Sequence, residues 1–250
     1  MILIKLGGSI ITDKEKPYTF MRKRTHRLID EMSSSVDEDL IIVHGGGSFG
    51  HPGAEKYQIN TGEPQRVGEA VSIVQHKMRL LNERILDMMI ENKLWPISLP
   101  GGLITRYEDG ELAEIDEEIF KRYLELDATP VTFGDVALDK KNRITICSGD
   151  DLMLALGRMA DRAIFVSDVD GIFKKGKLMS NISHGSLPLT KDDLPSQKAS
   201  IDVTGGMNRK LEMMLNLSKH CRTFLVNGKK DGRLASLIKG DDVICTEVEP

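Results

Sequence analysis

The chain has 250 residues, 40% of them hydrophobic and 29% charged, with a formal net charge of −4. That length and apolar content suffice for one large domain or two intimate lobes, and the mixed charge argues against a basic nucleic-acid or membrane-surface face. Lys5 breaks the opening apolar run "MILIKLGG", so no signal peptide or anchor is expected, and no run approaches the roughly 18 apolar residues of a membrane span.

Residues 2–6 (ILIKL) read as a buried strand with a lysine in its middle, followed by Gly7, Gly8 and Ser9. Such a lysine is costly unless it meets a negative partner or faces solvent. Residues 22–35 read as a helix with Leu28, Ile29 and Met32 on one side, and 40–43 (LIIV) as a second strand. A polar stretch leads into a long helix in which Val67, Val71, Val74, Met78, Leu81, Ile85 and Met88 step by four and three. Trp95 to Leu99 is the next strand, and a helix is expected near 116–126.

Two β-rich runs around Asp139 to Asn142 predict a hairpin. "SGDD" (148–151) then opens a helix over 150–160, with Ser148 or Asp150 as N-cap. "RAIFVSDVDG" is a buried strand ending in acids, "GIFKKGKLM" a second hairpin, and 180–202 a polar loop. A helix over about 205–219 opens on Gly205-Gly206 and carries Lys210. Strands at 222–226 and 242–247 finish the chain. Alternating strands and helices predict a mainly parallel sheet with its site at the carboxyl ends of the strands. Cys147, Cys221 and Cys245 are isolated, which suits small core residues in a reducing compartment.

The stretch "IIVHGGGSFGH" (41–51) satisfies the dinucleotide pattern G-x-G-x-x-G at Gly45, Gly47 and Gly50. That fingerprint needs a second strand with an acid about 20 residues on. Glu69 stands at that distance, but inside the long helix. No G-x-x-x-x-G-K-[ST] phosphate loop occurs either. Backbone N–H groups offered to an anion explain three glycines better than a plain turn does. Four strand ends share this character: Lys5 with Gly7-Gly8-Ser9, the loop at 45–51, "SGDD", and "DVTGGMNRK" with Lys210. Two lysines beside separate double-glycine turns, a further glycine cradle and strand-end acids together describe a site for a chain of phosphates.

With "KLGGSIIT", "VHGGGSFGH", "SGDD", "SDVDGIF" and "DVTGGMNRK" in this order over essentially the whole length, the chain resembles the amino acid kinase family. Within it, the chain is most similar to the archaeal isopentenyl phosphate kinases, on His51 closing the glycine loop, Lys14 in "ITDK" and the "DVTGGM" motif. The resemblance implies a three-layer α-β-α sandwich with a mainly parallel central sheet and two β-hairpins. It implies one domain over 1–250, with an acceptor lobe at about 1–147 and a nucleotide lobe at about 148–250.

Residue by residue, the resemblance implies that Lys5 and Lys210 hold the ATP phosphates from opposite ends. Leu6, Gly7, Gly8 and Ser9 would contact the nucleotide, and Asp168 and Gly206 would line its site. Gly46 and Gly47 would lie between acceptor and transferred phosphoryl group, with His51 and Gly149 on the acceptor. Lys14 would neutralise the transferred group, and Asp150 would orient the lysines. The implied reaction is ATP-dependent phosphorylation of isopentenyl phosphate, with Mg²⁺ accompanying ATP and no metal site in the chain itself. A fosfomycin-type phosphonate kinase, or another small-acid kinase of the same fold, is the alternative. A cytoplasmic homodimer is implied, joined through the N-terminal lobe and acting on a small-molecule phosphate, with no nucleic acid or membrane partner.

An acceptor that is already a phosphate monoester is anionic near neutral pH, so no general base is needed. His44 follows its strand directly and is expected to be structural, and His26, His76, His184 and His220 give no metal-ligand spacing. Val71, Val74 and Met78 would wall an apolar tail pocket with Met153, or serve as ordinary core.

Overall fold

The computed structural model describes residues 1–59, 66–174, 176–183 and 205–249, the side chains of 205–209 excepted. Chain order begins β1 (Ile2–Leu6), α1 (Gly8–Ile11), α2 (Arg22–Ser33), β2 (Leu40–His44), α3 (Gly47–Lys56), α4 (Val67–Glu91) and β3 (Pro96–Pro100). It continues α5 (Gly101–Ile104), β4 (Thr105–Glu108), β5 (Glu111–Ile115), α6 (Glu117–Leu124), β6 (Thr129–Phe133), β7 (Asp135–Asp139), β8 (Arg143–Cys147) and α7 (Gly149–Leu156). The rest is β9 (Arg162–Ser167), β10 (Ile172–Lys174), β11 (Lys177–Met179), β12 (Asn181–Ile182), α8 (Gly205–Leu217), β13 (Arg222–Asn227), α9 (Arg233–Lys239) and β14 (Cys245–Val248).

The main sheet runs β12-β14-β13-β9-β1-β2-β6-β3. The six strands from β13 to β3 are parallel, and β14 closes antiparallel on β13. Because both faces are covered, side chains alternate between two cores rather than between core and water. Ile2, Ile4, Leu6 and Ile42 face one side with Leu28, Ile29 and Met32 of α2 and the apolar stripe of α4. Leu3, Ile41 and Val43 face the other with Phe120 of α6, Leu152 of α7 and Met214 of α8. The result is the expected α-β-α sandwich. Five stripe residues of α4, Val74, Met78, Leu81, Ile85 and Met88, are fully buried. Each contributes roughly 1.5–3 kcal/mol, enough to hold a 25-residue helix that propensity alone would not.

The hairpins at β7–β8 and β10–β11 stand where the sequence puts them. A third, β4–β5, was not expected, and β4 pairs with β7 to give a separate sheet, β5-β4-β7-β8. One carboxylate ties its two turns together. Asp139 accepts N–H bonds from Asp109 (3.3 Å), Gly110 (2.7 Å), Lys141 (2.8 Å) and Asn142 (2.6 Å). Burial opposes the charge, yet these donors hold the Asp139 carboxyl below the usual carboxylate range. The polar loop expected over 180–202 lies outside the described residues from 184 on, together with His184 and with Asp202 to Thr204 of the last glycine motif. Among the described residues no helix is long and apolar enough to cross a membrane.

β1 pairs with β2 on one side and with β9 on the other. Connections therefore leave in opposite directions at β1/β9, the topological switch point where parallel α/β sheets open a crevice at their carboxyl ends.

Candidate active site

Alternation along β1 places Lys5 beside Leu3, on the face that α7 covers. Its side chain is only 12% exposed, and its ammonium is paired with Asp150. Ser148 is the N-cap of α7, in a reciprocal capping box with Asp151. That leaves Asp150 in the first turn free for the lysine. Gly149 matters because a Cβ there would sit 3.3 Å from Cε of Lys5.

The two glycine loops after β1 and β2 touch backbone to backbone. A Cβ on Gly8 would fall 2.5 Å from the Gly47 nitrogen, and one on Gly45 would fall 2.9 Å from the Gly8 nitrogen. A Cβ on Gly46 would press on the Met78 sulfur at 3.0 Å. Gly47 has φ +46°, and its Cβ would lie 2.1 Å from Oγ1 of Thr12. Each glycine of the triplet thus has its own steric reason, which the sequence did not reveal. The anion-cradle expectation keeps its own support. The N–H groups of Gly8, Ser9, Gly46 and Gly47 find no acceptor among the described residues, and they lie at the starts of α1 and α3.

Asp168, just past β9, gathers the opposite wall. The Ser9 hydroxyl donates to its Oδ1 at 3.3 Å, and the ammoniums of Lys14 and Lys229 each lie 3.7 Å from its Oδ2. Burial pushes this carboxyl up, but Lys14, Lys229 and Lys210 outweigh it and hold it below the usual range. Lys210 of α8 donates to the Ser167 hydroxyl at 2.9 Å. Its pKa is lowered by desolvation and then by the Lys5 ammonium, while Asp150 and Asp168 pull the other way. Lys5, Lys14, Lys210, Asp150, Asp168 and Ser9 therefore share one electrostatic neighbourhood at the carboxyl ends of β1 and β9. Gly206 sits in the first turn of α8, four residues before Lys210.

His51 stands exposed on α3, one turn beyond Gly47, with no hydrogen-bond partner among the described residues. His44 is fully buried. It stacks on Phe133 with ring centroids 4.9 Å apart, and its Nε2 lies 3.2 Å from Oδ1 of Asn82. Burial lowers its pKa from 6.5 to about 4. A histidine depressed in the fold gives stability that is complete above pH 6.5 and is lost as pH falls toward 4. Between pH 7 and 4.5 the wild type is therefore expected to lose roughly 2 kcal/mol more than His44→Gln, by denaturant titration. Parallel curves would contradict this.

Met153 departs from its expected place in a tail pocket. It belongs to the core on the opposite face of the sheet from Val74 and Met78, so the three cannot wall one pocket. Val74 and Met78 instead pack under α3, where they meet Gly53, Gly50 and Gly46. The sequence also passed over Ser167 and Lys229. Ser167 precedes the strand-end acid and was legible from that place, whereas Lys229 in "NGKKDG" looks like any solvated lysine.

A family model described as the amino acid kinase family matches residues 1–227. The isopentenyl phosphate kinase of Methanothermobacter thermautotrophicus is 32% identical, over 99% of this chain and 98% of that protein. The isopentenyl phosphate kinase of Methanocaldococcus jannaschii is also 32% identical, over 100% of this chain and 98% of its own. A crystal structure of isopentenyl phosphate kinase superposes with a TM-score of 0.84 at 26% identity, covering 99% of both chains. On its fold, its ordered motifs and these full-length matches, the chain belongs to the amino acid kinase family.

Proposed function

We propose that the chain transfers the γ-phosphoryl group of ATP to isopentenyl phosphate, giving isopentenyl diphosphate and ADP. The observation that carries this is the gathering of Lys5, Lys14, Lys210, Asp150 and Asp168 around two abutting glycine loops. The full-length relatives named isopentenyl phosphate kinase supply the acceptor.

An acceptor phosphate oxygen attacks the γ-phosphorus in line, and the bond to the β–γ bridging oxygen breaks. The second pKa of a phosphate monoester is about 6, so the nucleophile arrives deprotonated and no base is required. The obstacle is repulsion between two polyanions. Lys5 and Lys210 oppose it along the ATP phosphates, Lys14 on the moving group, and His51 on the acceptor. The free amides of Gly8, Ser9, Gly46 and Gly47 add fixed partial charges, with Leu6 and Gly7 backing the donor. Asp150 aims Lys5, and Gly149 keeps the approach open. Among the described residues no three metal-ligating side chains cluster, and Asp150 and Asp168 are engaged by lysines. Mg²⁺ accompanying ATP would be held by its phosphate oxygens and would offset part of their charge.

Steady-state rates with isopentenyl phosphate, fosfomycin and acetylglutamate test the proposal. Isopentenyl phosphate should give the highest kcat/KM. His51→Ala should weaken its binding by roughly tenfold or more while leaving ATP affinity intact, since a hydrogen bond to a charged group is worth about 1.5–3 kcal/mol. No preference among the three would remove the acceptor, and an unchanged isopentenyl phosphate affinity would remove His51.

The proposed enzyme is a homodimer: Trp95 just before edge strand β3, Leu103 just after it and Leu126 ahead of the neighbouring β6 stay 59%, 62% and 72% exposed. Pro96 and Pro100 obstruct strand addition there, so subunits would meet through side chains. A sedimentation mass of one chain would exclude it.

A further inference from the structure

We propose that Lys229 binds the polyphosphate of the nucleotide, as a further ammonium held in readiness by Asp168 beside Lys14. The inference rests on ATP as the donor, and it concerns a residue that no sequence motif marked.

Its place in the sheet is the first argument. β13 runs parallel to β9 with Asn227 opposite Ser167, so the loops after both strands open at the same end of the crevice. Lys229 lies two residues past β13, and its Nζ is 3.7 Å from the same Asp168 oxygen that Lys14 approaches at 3.7 Å. The charge balance is the second argument. Lys14 and Lys229 share one carboxylate, and Lys210 stands one hydroxyl away on Ser167. With Lys5 on Asp150, four ammoniums face two carboxylates here, and an arriving polyanion relieves their remaining repulsion. Both Lys14 and Lys229 remain partly exposed, at 62% and 45%, and so are free to turn toward a ligand.

The loop that carries Lys229 is also built to stay still. Its own N–H donates to Oδ1 of Asn227 at 2.9 Å, and the Asn227 amide donates to Asp170 at 3.0 Å. From α2, the Arg27 guanidinium donates to the carbonyls of Gly228 and Lys230. Glu31 of the same helix accepts the N–H groups of Gly232 (3.0 Å), Leu234 (3.1 Å) and Ala235 (3.2 Å). Gly228 lets the loop cross the end of β9, because a Cβ there would lie 2.4 Å from Cγ1 of Val166. A backbone fixed in this way leaves only the lysine side chain to be ordered when the anion arrives.

Calorimetric titration of the full chain with ATP and with AMP separates the possibilities. Lys229→Ala should weaken ATP by about tenfold or more and AMP by less than twofold, with Lys229→Arg recovering most of the loss. Lys230→Ala, which removes a charge from the same loop, should leave both affinities alone. Unchanged ATP affinity in Lys229→Ala overturns the proposal. Equal weakening of ATP and AMP overturns it as well, because Lys229 would then act through the fold. Wild-type protein that binds ATP but does not phosphorylate isopentenyl phosphate would sink the acceptor alone. Wild-type protein with no ATP affinity would sink donor and Lys229 together.

Discussion

Gly47→Ala is expected to lower kcat/KM by at least about a hundredfold and to destabilise the fold by roughly 3 kcal/mol. Two costs add. Gly47 has φ +46°, a left-handed conformation that costs a residue with a Cβ about 1–2 kcal/mol. The new carbon would also stand 2.1 Å from Oγ1 of Thr12 and 2.8 Å from the Gly8 carbonyl oxygen, an overlap that adds about 1–3 kcal/mol. Thr12 cannot swing away freely, because its hydroxyl donates to the Gly8 carbonyl at 2.7 Å and accepts the Ser48 N–H at 3.0 Å. The two loops must therefore move apart, and a shift of about 1 Å at reacting groups can cost 10²-fold in rate. Thermal unfolding should show a drop on the order of 6–12 °C for a chain this size. Thr12→Ala in the same background removes the side-chain clash but not the dihedral strain, so it should recover stability in part. A Gly47→Ala enzyme with wild-type rate and melting temperature would mean that the loops do not abut.

The second large effect is at Lys5. Lys5→Met keeps the length and the apolar stem but removes the ammonium, and leaves Asp150 without its partner. Losing one preorganised donor to developing charge typically costs about 2.7–4 kcal/mol in the barrier, or 10²–10³ in kcat. Here the loss is compounded, because the orphaned Asp150 carboxylate then faces the incoming polyphosphate and repels it. KM for ATP should rise along with the fall in kcat. Adding Asp150→Asn should return much of the ATP affinity without returning kcat, since the repulsion goes but the cation is still missing. The stability cost should stay small, because Asp150 is partly exposed and lies in the first turn of α7, where the helix dipole favours a negative charge. Activity within a few-fold of wild type would remove Lys5 from the chemistry.

Legibility in the sequence followed the strength of the local signal. β1, β2, β9 and α4 were readable because buried parallel strands are continuous apolar runs and a long stripe stepping by three and four has no other explanation. The chemistry of Lys5 was readable for a related reason: a charge inside such a run demands a partner, and Asp150 supplies it. The β4–β5 hairpin was hidden because its strands, TRYE and ELAEI, are short and charged and resemble surface loop. α9 was hidden too. Its start is organised by Glu31, some two hundred residues earlier in the chain, and no local cap announces it. Lys229 belongs to the same class, since its meaning comes from Asp168 across a strand boundary. Met153 failed for the opposite reason. Apolar residues carry no label for which face of a two-sided sheet they will cover, and only the packing assigns Met153 to the other core.

The most direct measurement is calorimetry with a single molecule in which adenosine and an isopentenyl group are joined through a chain of phosphates. If the loops form one crevice seating both polyanions end to end, this compound should bind one per chain, more tightly than ATP or isopentenyl phosphate, and titrations in its presence should show no uptake of either. Affinity no better than that of ATP, with isopentenyl phosphate still binding alongside it, would contradict the account.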